Sequence, residues 1–148
     1  MAAHRRARRA RLAALAVAGL LTLAGCSDGT GSPDDDAQTE VRGQSLDADA
    51  FADLAGRDGV VVLDVRTPEE FAEGHLEGAV NLDVSSPDFA AGLAELDPAA
   101  TYAVYCRSGN RSQAAVQQMQ GAGIDAVADL AGGIQAWAES GRDVVTGS

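Results

Sequence analysis

Four short runs of branched, aromatic or small apolar residues, at 60–65, 79–82, 101–105 and 126–130, alternate along this chain with stretches whose apolar positions recur at helical spacing. The first of them, Val60 to Val65, is continuous rather than alternating, which suits a strand covered on both faces. Strands of that kind taking turns with helices restrict the chain to an α/β domain: a mostly parallel central sheet flanked by helices on both faces.

The boundaries of the helices are written in capping residues. Asp47 predicts the cap of a helix running through Ala55, with Phe51, Leu54 and Ala55 on one face and Gly56 as its stop. Thr67-Pro68-Glu69-Glu70 places a cap, a first-turn proline and two acids at the start of a short helix reaching Glu73, where the carboxylates compensate the helix dipole. Ser86-Pro87-Asp88 opens a helix through Leu96, and two more are expected from Ser112 to Gln120 and from Ile134 to Glu139.

Ahead of this pattern the chain has a different composition. Arginines 5, 6, 8, 9 and 11 precede an apolar run of 14 residues from Leu12 to Gly25. A bilayer-spanning helix needs about 20, so the run reads as the apolar part of an export signal. Leu23-Ala24-Gly25-Cys26 resembles the lipobox of bacterial lipoproteins. The resemblance implies a signal peptide over residues 1–25 and a diacylglyceride on Cys26. It also implies a location at the extracytoplasmic face of a bacterial membrane. Without the lipobox, the same segment reads as a plain secretory signal or as an uncleaved helix that ends in cysteine. The pairs Arg5-Arg6 and Arg8-Arg9 lack the flanking residues of a twin-arginine signal, which leaves the export route open. Residues 26–40, rich in Ser, Gly and Asp with an acidic run at 34–36, form a solvated tether to a folded part at 41–145.

Charge and residue inventory exclude several functions. After Cys26 the chain holds six arginines against all 22 of its acids, a net −16 that repels phosphate backbones, so no nucleic-acid partner is expected. Lysine is absent, which removes Schiff-base chemistry and lysine-dependent nucleotide sites. His4 lies in the leader, leaving one histidine and no paired cysteines for a metal. Gly132-Gly133 lacks the spacing of a dinucleotide loop. No metal or cofactor is therefore expected.

Chemistry concentrates where the third run, Thr101 to Tyr105, meets Cys106-Arg107-Ser108-Gly109-Asn110-Arg111 and then Ser112. Ligands of open α/β sheets bind at the carboxyl ends of strands beside helix N-termini. A loop there can turn its N–H groups inward as an anion nest, with Gly109 supplying the backbone freedom and Arg107 and Arg111 supplying charge. Cys106 at its mouth becomes a thiolate nucleophile near neutral pH. The competing reading is a buried structural cysteine, against which the two arginines argue.

Taken together, Leu63-Asp64-Val65-Arg66, Glu69-Glu70-Phe71, Gly74-His75-Leu76-Glu77-Gly78-Ala79-Val80-Asn81, the Cys106–Ser112 loop, and Leu130-Ala131-Gly132-Gly133-Ile134 with Trp137 resemble single-domain rhodanese-like sulfurtransferases over residues 41–142. The resemblance implies that Cys106 takes a sulfane sulfur from a small donor and passes it to a thiol or cyanide. Residues 107 to 111 would form the cradle, with Arg111 also holding an anionic donor. Asp64 and Arg66 read as structural bracing at the end of their strand. His75 reads as a turn residue satisfied by backbone, and Trp137 as core beside Ile134. Cysteine phosphatases and arsenate reductases resemble the arrangement too, but they place five residues between cysteine and arginine, where this chain has four (107–110). The tighter cradle suits one sulfur better than a tetrahedral phosphate. A non-catalytic, sulfur-sensing or partner-binding module is the third alternative.

Overall fold

The structure, a computed structural model, describes residues 41–147. The leader, Cys26 and the tether lie outside the described residues. In chain order the elements are β1 (Gln44–Leu46), α1 (Ala48–Ala55), β2 (Val60–Asp64), α2 (Pro68–Glu73), β3 (Val80–Asn81), α3 (Phe89–Glu95), β4 (Thr101–Tyr105), α4 (Asn110–Gly121), β5 (Val127–Leu130) and α5 (Gly133–Glu139). The five strands form one parallel sheet in the order β1-β5-β4-β2-β3.

Because side chains alternate across each strand, the sheet feeds two cores. On one face Leu63, Val65, Tyr102, Val104 and Val127 pack with Phe89 and Leu93 of α3 and with Ala115, Val116 and Met119 of α4. On the other, Val62, Ala103, Tyr105, Ala128 and Leu130 pack with Phe51 and Leu54 of α1 and the half-buried Ile134 and Trp137 of α5. The two buried tyrosines on β4 place their hydroxyls on backbone: Tyr102 donates to the Asp97 carbonyl at 3.0 Å and Tyr105 accepts the Leu76 N–H at 3.1 Å. Among the described residues no buried side-chain nitrogen or oxygen lacks a hydrogen-bond partner.

Several boundaries differ from the sequence expectation, each for a local reason. Strand β1 was not legible: it has three residues, of which Gln44 and Ser45 are exposed, and it takes its place by pairing with Ala128, Asp129 and Leu130 of β5. The expected strand at 79–82 contracts to Val80–Asn81, an edge paired on one side with β2. Helix α3 begins at Phe89, and Asp88 makes no capping bond with its side chain. Helix α4 begins at Asn110, so Asn110 and Arg111, read as loop, form the first turn of the helix behind Gly109. The predicted caps at Asp47 and Thr67 are present, the latter as a full capping box with Glu70.

Candidate active site

The carboxyl end of β4 delivers Cys106 to the centre of the sheet, between β5 and β2, with its side chain 1% exposed. The chain then turns through Arg107 and Ser108, both exposed, to Gly109, whose φ of 97° is left-handed and starts α4. That turn aims the Gly109 N–H at Cys106 Sγ, 3.1 Å away. Burial by itself pushes the thiol up. The hydroxyl of Ser112 and the N–H groups of Ser112, Ser108 and Gly109 outweigh it, and the net shift is downward. The first turn of α4 adds the partial positive charge of its N-terminus.

The carbonyls of the loop are turned outward. Ile134 N–H donates to the Cys106 carbonyl at 2.8 Å and Gln135 N–H to the Arg107 carbonyl at 3.3 Å, so the N-terminus of α5 holds the loop's acceptors and leaves its donors facing the sulfur. Gly132 and Gly133, with φ of 74° and 61°, make that approach possible.

Arg111 is tied down rather than free. Its guanidinium donates two bonds, 2.7 and 2.8 Å, to the Glu70 carboxylate, a forked pair joining α4 to α2. The Arg111 bond and the Thr67 N–H hold the Glu70 carboxyl at about 2 against the opposing effect of its partial burial. Glu70 therefore does more than compensate a helix dipole, a role that a separation of 41 residues hides from the sequence. Arg107 stays exposed at the rim.

Asp64 and Arg66 form a buried, forked ion pair with Nε bonds of 2.9 and 3.0 Å and an Nη2 bond of 2.6 Å; Nη2 also donates to the Gly74 carbonyl at 2.6 Å. The guanidinium lies 5.6 Å from the Tyr105 ring centroid. Asn81 Nδ2 donates to the carbonyls of Asp64 and Arg66, at 3.0 and 2.9 Å, and so fastens β3 to the end of β2. His75 stacks on Phe71, centroids 3.8 Å apart, with Nδ1 2.9 Å from the Phe71 carbonyl. Trp137 meets Phe51 edge-on and donates Nε1–H to the Asp143 carbonyl. Among the described residues no group of three or more His, Cys, Asp or Glu is placed to hold a metal ion, and no helix is long and apolar enough to cross a membrane. The sequence reading missed Asp129, which is 2% exposed on β5 with its carboxylate 3.3 Å from Ser112 Oγ.

The one thiol among the described residues lies under converging N–H donors at the end of a central parallel strand, on an α/β sheet covered on both faces, an arrangement that favours the thiolate. Residues 47–140 match the family described as the rhodanese-like domain, and the chain belongs to that family. Thiosulfate sulfurtransferase GlpE of Pseudomonas putida is 41% identical over 85 residues, 57% of this chain and 76% of that protein. A Synechocystis protein is 36% identical over 94 residues, 62% of this chain, which spans only half that protein's length. The crystal structure of a rhodanese-related protein from Thermoplasma volcanium is similar with a TM-score of 0.63 at 34% identity, covering 70% of this chain and 99% of that one.

Proposed function

We propose that the protein is a sulfurtransferase that carries sulfane sulfur on Cys106 as a persulfide. The observation that carries this reading is the cradle itself, in which a lone buried sulfur receives the Gly109 N–H at 3.1 Å. With thiosulfate as donor, the Cys106 thiolate attacks the outer sulfur and a new S–S bond forms. The S–S bond of thiosulfate breaks with its electron pair leaving on sulfite. Cyanide or a thiolate acceptor then attacks the outer sulfur of the persulfide, and the electron pair of that bond returns to Cys106. The N–H groups that favour the thiolate also favour the anionic outer sulfur.

Within this reading Arg107, exposed and in no ion pair among the described residues, meets an anionic donor first. Arg111, paired with Glu70, sets the position of the α4 N-terminus as well as adding charge. Ser108 and Asn110 line the entrance, and Asp64 and Arg66 brace the β2 end from beneath.

Intact-mass measurement after incubation with thiosulfate is expected to show a gain of one sulfur, mapped to the Cys106 peptide and removed by cyanide. Faster hydrolysis of a phosphoester than sulfur transfer would instead select phosphatase chemistry. Reversible sulfur loading without turnover would select a sensing module.

We also propose that lipid on Cys26 tethers the domain to the extracytoplasmic face of a bacterial membrane. Its support is the Leu23–Cys26 lipobox followed by a tether that separates anchor from chemistry. Cys26→Ala is expected to move the protein out of the lipid-modified membrane fraction while sulfur loading of Cys106 is unchanged. Undiminished attachment with normal leader removal would refute the anchor.

A further inference from the structure

Of the six arginines among the described residues, four are held in ion pairs: Arg42 with Asp125, Arg66 with Asp64, Arg111 with Glu70 and Arg142 with Asp49. Arg57 stands just before β2, at the end of the parallel sheet opposite the cradle. That leaves Arg107 as the one arginine beside Cys106 whose charge no carboxylate matches. The chain as a whole carries 22 acids against 11 basic residues, so the positive charge left free at the cradle decides how readily an anion reaches the sulfur.

Arg111 is the second residue of α4, two beyond the Gly109 whose N–H meets the sulfur at 3.1 Å. At the helical rise its backbone lies about 3 Å further along the axis, which keeps its guanidinium within about 10 Å of the cradle. The charge that Arg111 adds there is matched by Glu70. One Nη atom donates to each carboxylate oxygen, at 2.7 and 2.8 Å, and Glu70 is fixed from its own side by the Thr67 N–H of the capping box at 3.3 Å. The two side chains are 32% and 26% exposed, so water screens them less than it would a surface pair. With its carboxyl held at about 2, Glu70 is ionised wherever a thiolate forms. An anion entering the cradle meets Arg111 and Glu70 together, a pair with no net charge, and the Asp64–Arg66 pair at the end of β2 is neutral in the same sense.

We propose that Glu70 is a specificity residue for Cys106: by holding Arg111 in a forked ion pair it removes one positive charge from the approach to the sulfur, so the site favours sulfane donors with one charge or none, such as organic persulfides, over the thiosulfate dianion. Arg107 at the rim is then the cation that an anionic donor finds free.

This inference rests on Cys106 being the reactive sulfur of the proposed function, and it is tested by a measurement that needs no turnover. Iodoacetamide and iodoacetate alkylate a thiolate by the same displacement of iodide, and they differ in charge, the first neutral and the second an anion. Their rates on Cys106 of the full chain, read by peptide mass spectrometry so that Cys26 is counted separately, are followed over a range of pH at low salt. The ratio of the two rates cancels any change in thiolate content or in access to the buried sulfur and reads the charge at its approach. Glu70→Gln keeps the size of the side chain and an oxygen for the Thr67 N–H while removing the charge. It is expected to raise the iodoacetate-to-iodoacetamide ratio about three- to tenfold, a gain that shrinks as salt is added. A fork that only ties α4 to α2 would change both rates together. An unmoved ratio therefore overturns the proposal, and so does a gain that salt does not reduce. If Glu70→Gln fails to fold, Arg111→Gln is compared with the double variant Arg111→Gln, Glu70→Gln, in which neither charge remains. A severalfold higher ratio in the double variant supports the proposal and an equal ratio overturns it. Sulfur loading from thiosulfate on the same samples keeps the two questions apart: a parent chain that never gains sulfur refutes the proposed function while the alkylation ratio still decides the role of Glu70.

Discussion

A Cys106→Ser chain is expected to fold as its parent does and to transfer no sulfur. Serine nearly matches cysteine in size, and its oxygen can accept the Gly109 N–H that now meets the sulfur, so a buried donor is not orphaned. Conservative changes of this size cost about 1 kcal/mol, which leaves a domain of ordinary stability folded. The chemistry does not survive the exchange. An alkoxide is far harder to form than a thiolate, and among the described residues the nearby candidate bases are engaged elsewhere: His75 Nδ1 is turned to the Phe71 carbonyl and the Asp129 carboxylate is met by the Ser112 hydroxyl. No persulfide can form on oxygen. Cyanolysis, followed as thiocyanate released from thiosulfate, is expected to fall to the uncatalysed rate, with an unchanged thermal transition within a few degrees. Sulfur transfer persisting in Cys106→Ser would move the active sulfur elsewhere, and Cys26 is the only other cysteine in the chain.

The parts of this arrangement that the sequence discloses are those whose signals are local. The runs at β2 and β4 are continuous and apolar because helices cover both faces of the sheet, so two-layer burial is written in a few consecutive residues. Thr67 and Glu70 announce a helix start at a spacing of three. The cradle is legible because a cysteine, a glycine and two arginines fall within six residues after a strand. What stays hidden is long-range. The fork from Arg111 to Glu70 spans 41 positions, and a carboxylate three residues past a helix cap is fully explained without it. Asn81 ties down two carbonyls 15 and 17 residues back, a bond that no pattern of asparagine reveals. Asp129 sits in a strand of otherwise apolar residues, which is itself a signal: a buried carboxylate needs donors, and here they come from Ser45 and Ser112 on two other elements. Strand β1 has no signal of its own because its conformation is imposed by β5.

Gly133→Ala is expected to be nearly as damaging to activity as loss of the nucleophile, although position 133 belongs to a different helix. Its φ of 61° lies in the left-handed region, which costs an alanine about 1–2 kcal/mol. Space is the larger obstacle. A Cβ at 133 would stand 2.5 Å from the Arg107 carbonyl carbon and 2.6 Å from its oxygen, inside any real contact distance, and the neighbour is backbone that cannot swing aside. Overpacking of this kind adds about 1–3 kcal/mol, giving a total near 2–5 kcal/mol and a thermal transition lowered by about 10–30 °C for a domain of this size. Relief requires α5 and the loop to separate. That lengthens the bonds from Ile134 and Gln135 to the Cys106 and Arg107 carbonyls, the contacts that keep the loop's N–H groups turned toward the sulfur. A cradle freed from α5 loses donors at the sulfur, so the thiol of the folded fraction should titrate higher than in the parent, and loading from thiosulfate should fall with it. Gly123→Ala is the matched control, since its φ of 89° imposes a comparable backbone penalty at a turn where a Cβ meets nothing within 4 Å. It should lower the thermal transition without moving the titration of Cys106. Equal alkylation profiles for Gly133→Ala and Gly123→Ala would show that α5 only stabilises the domain and does not orient the cradle.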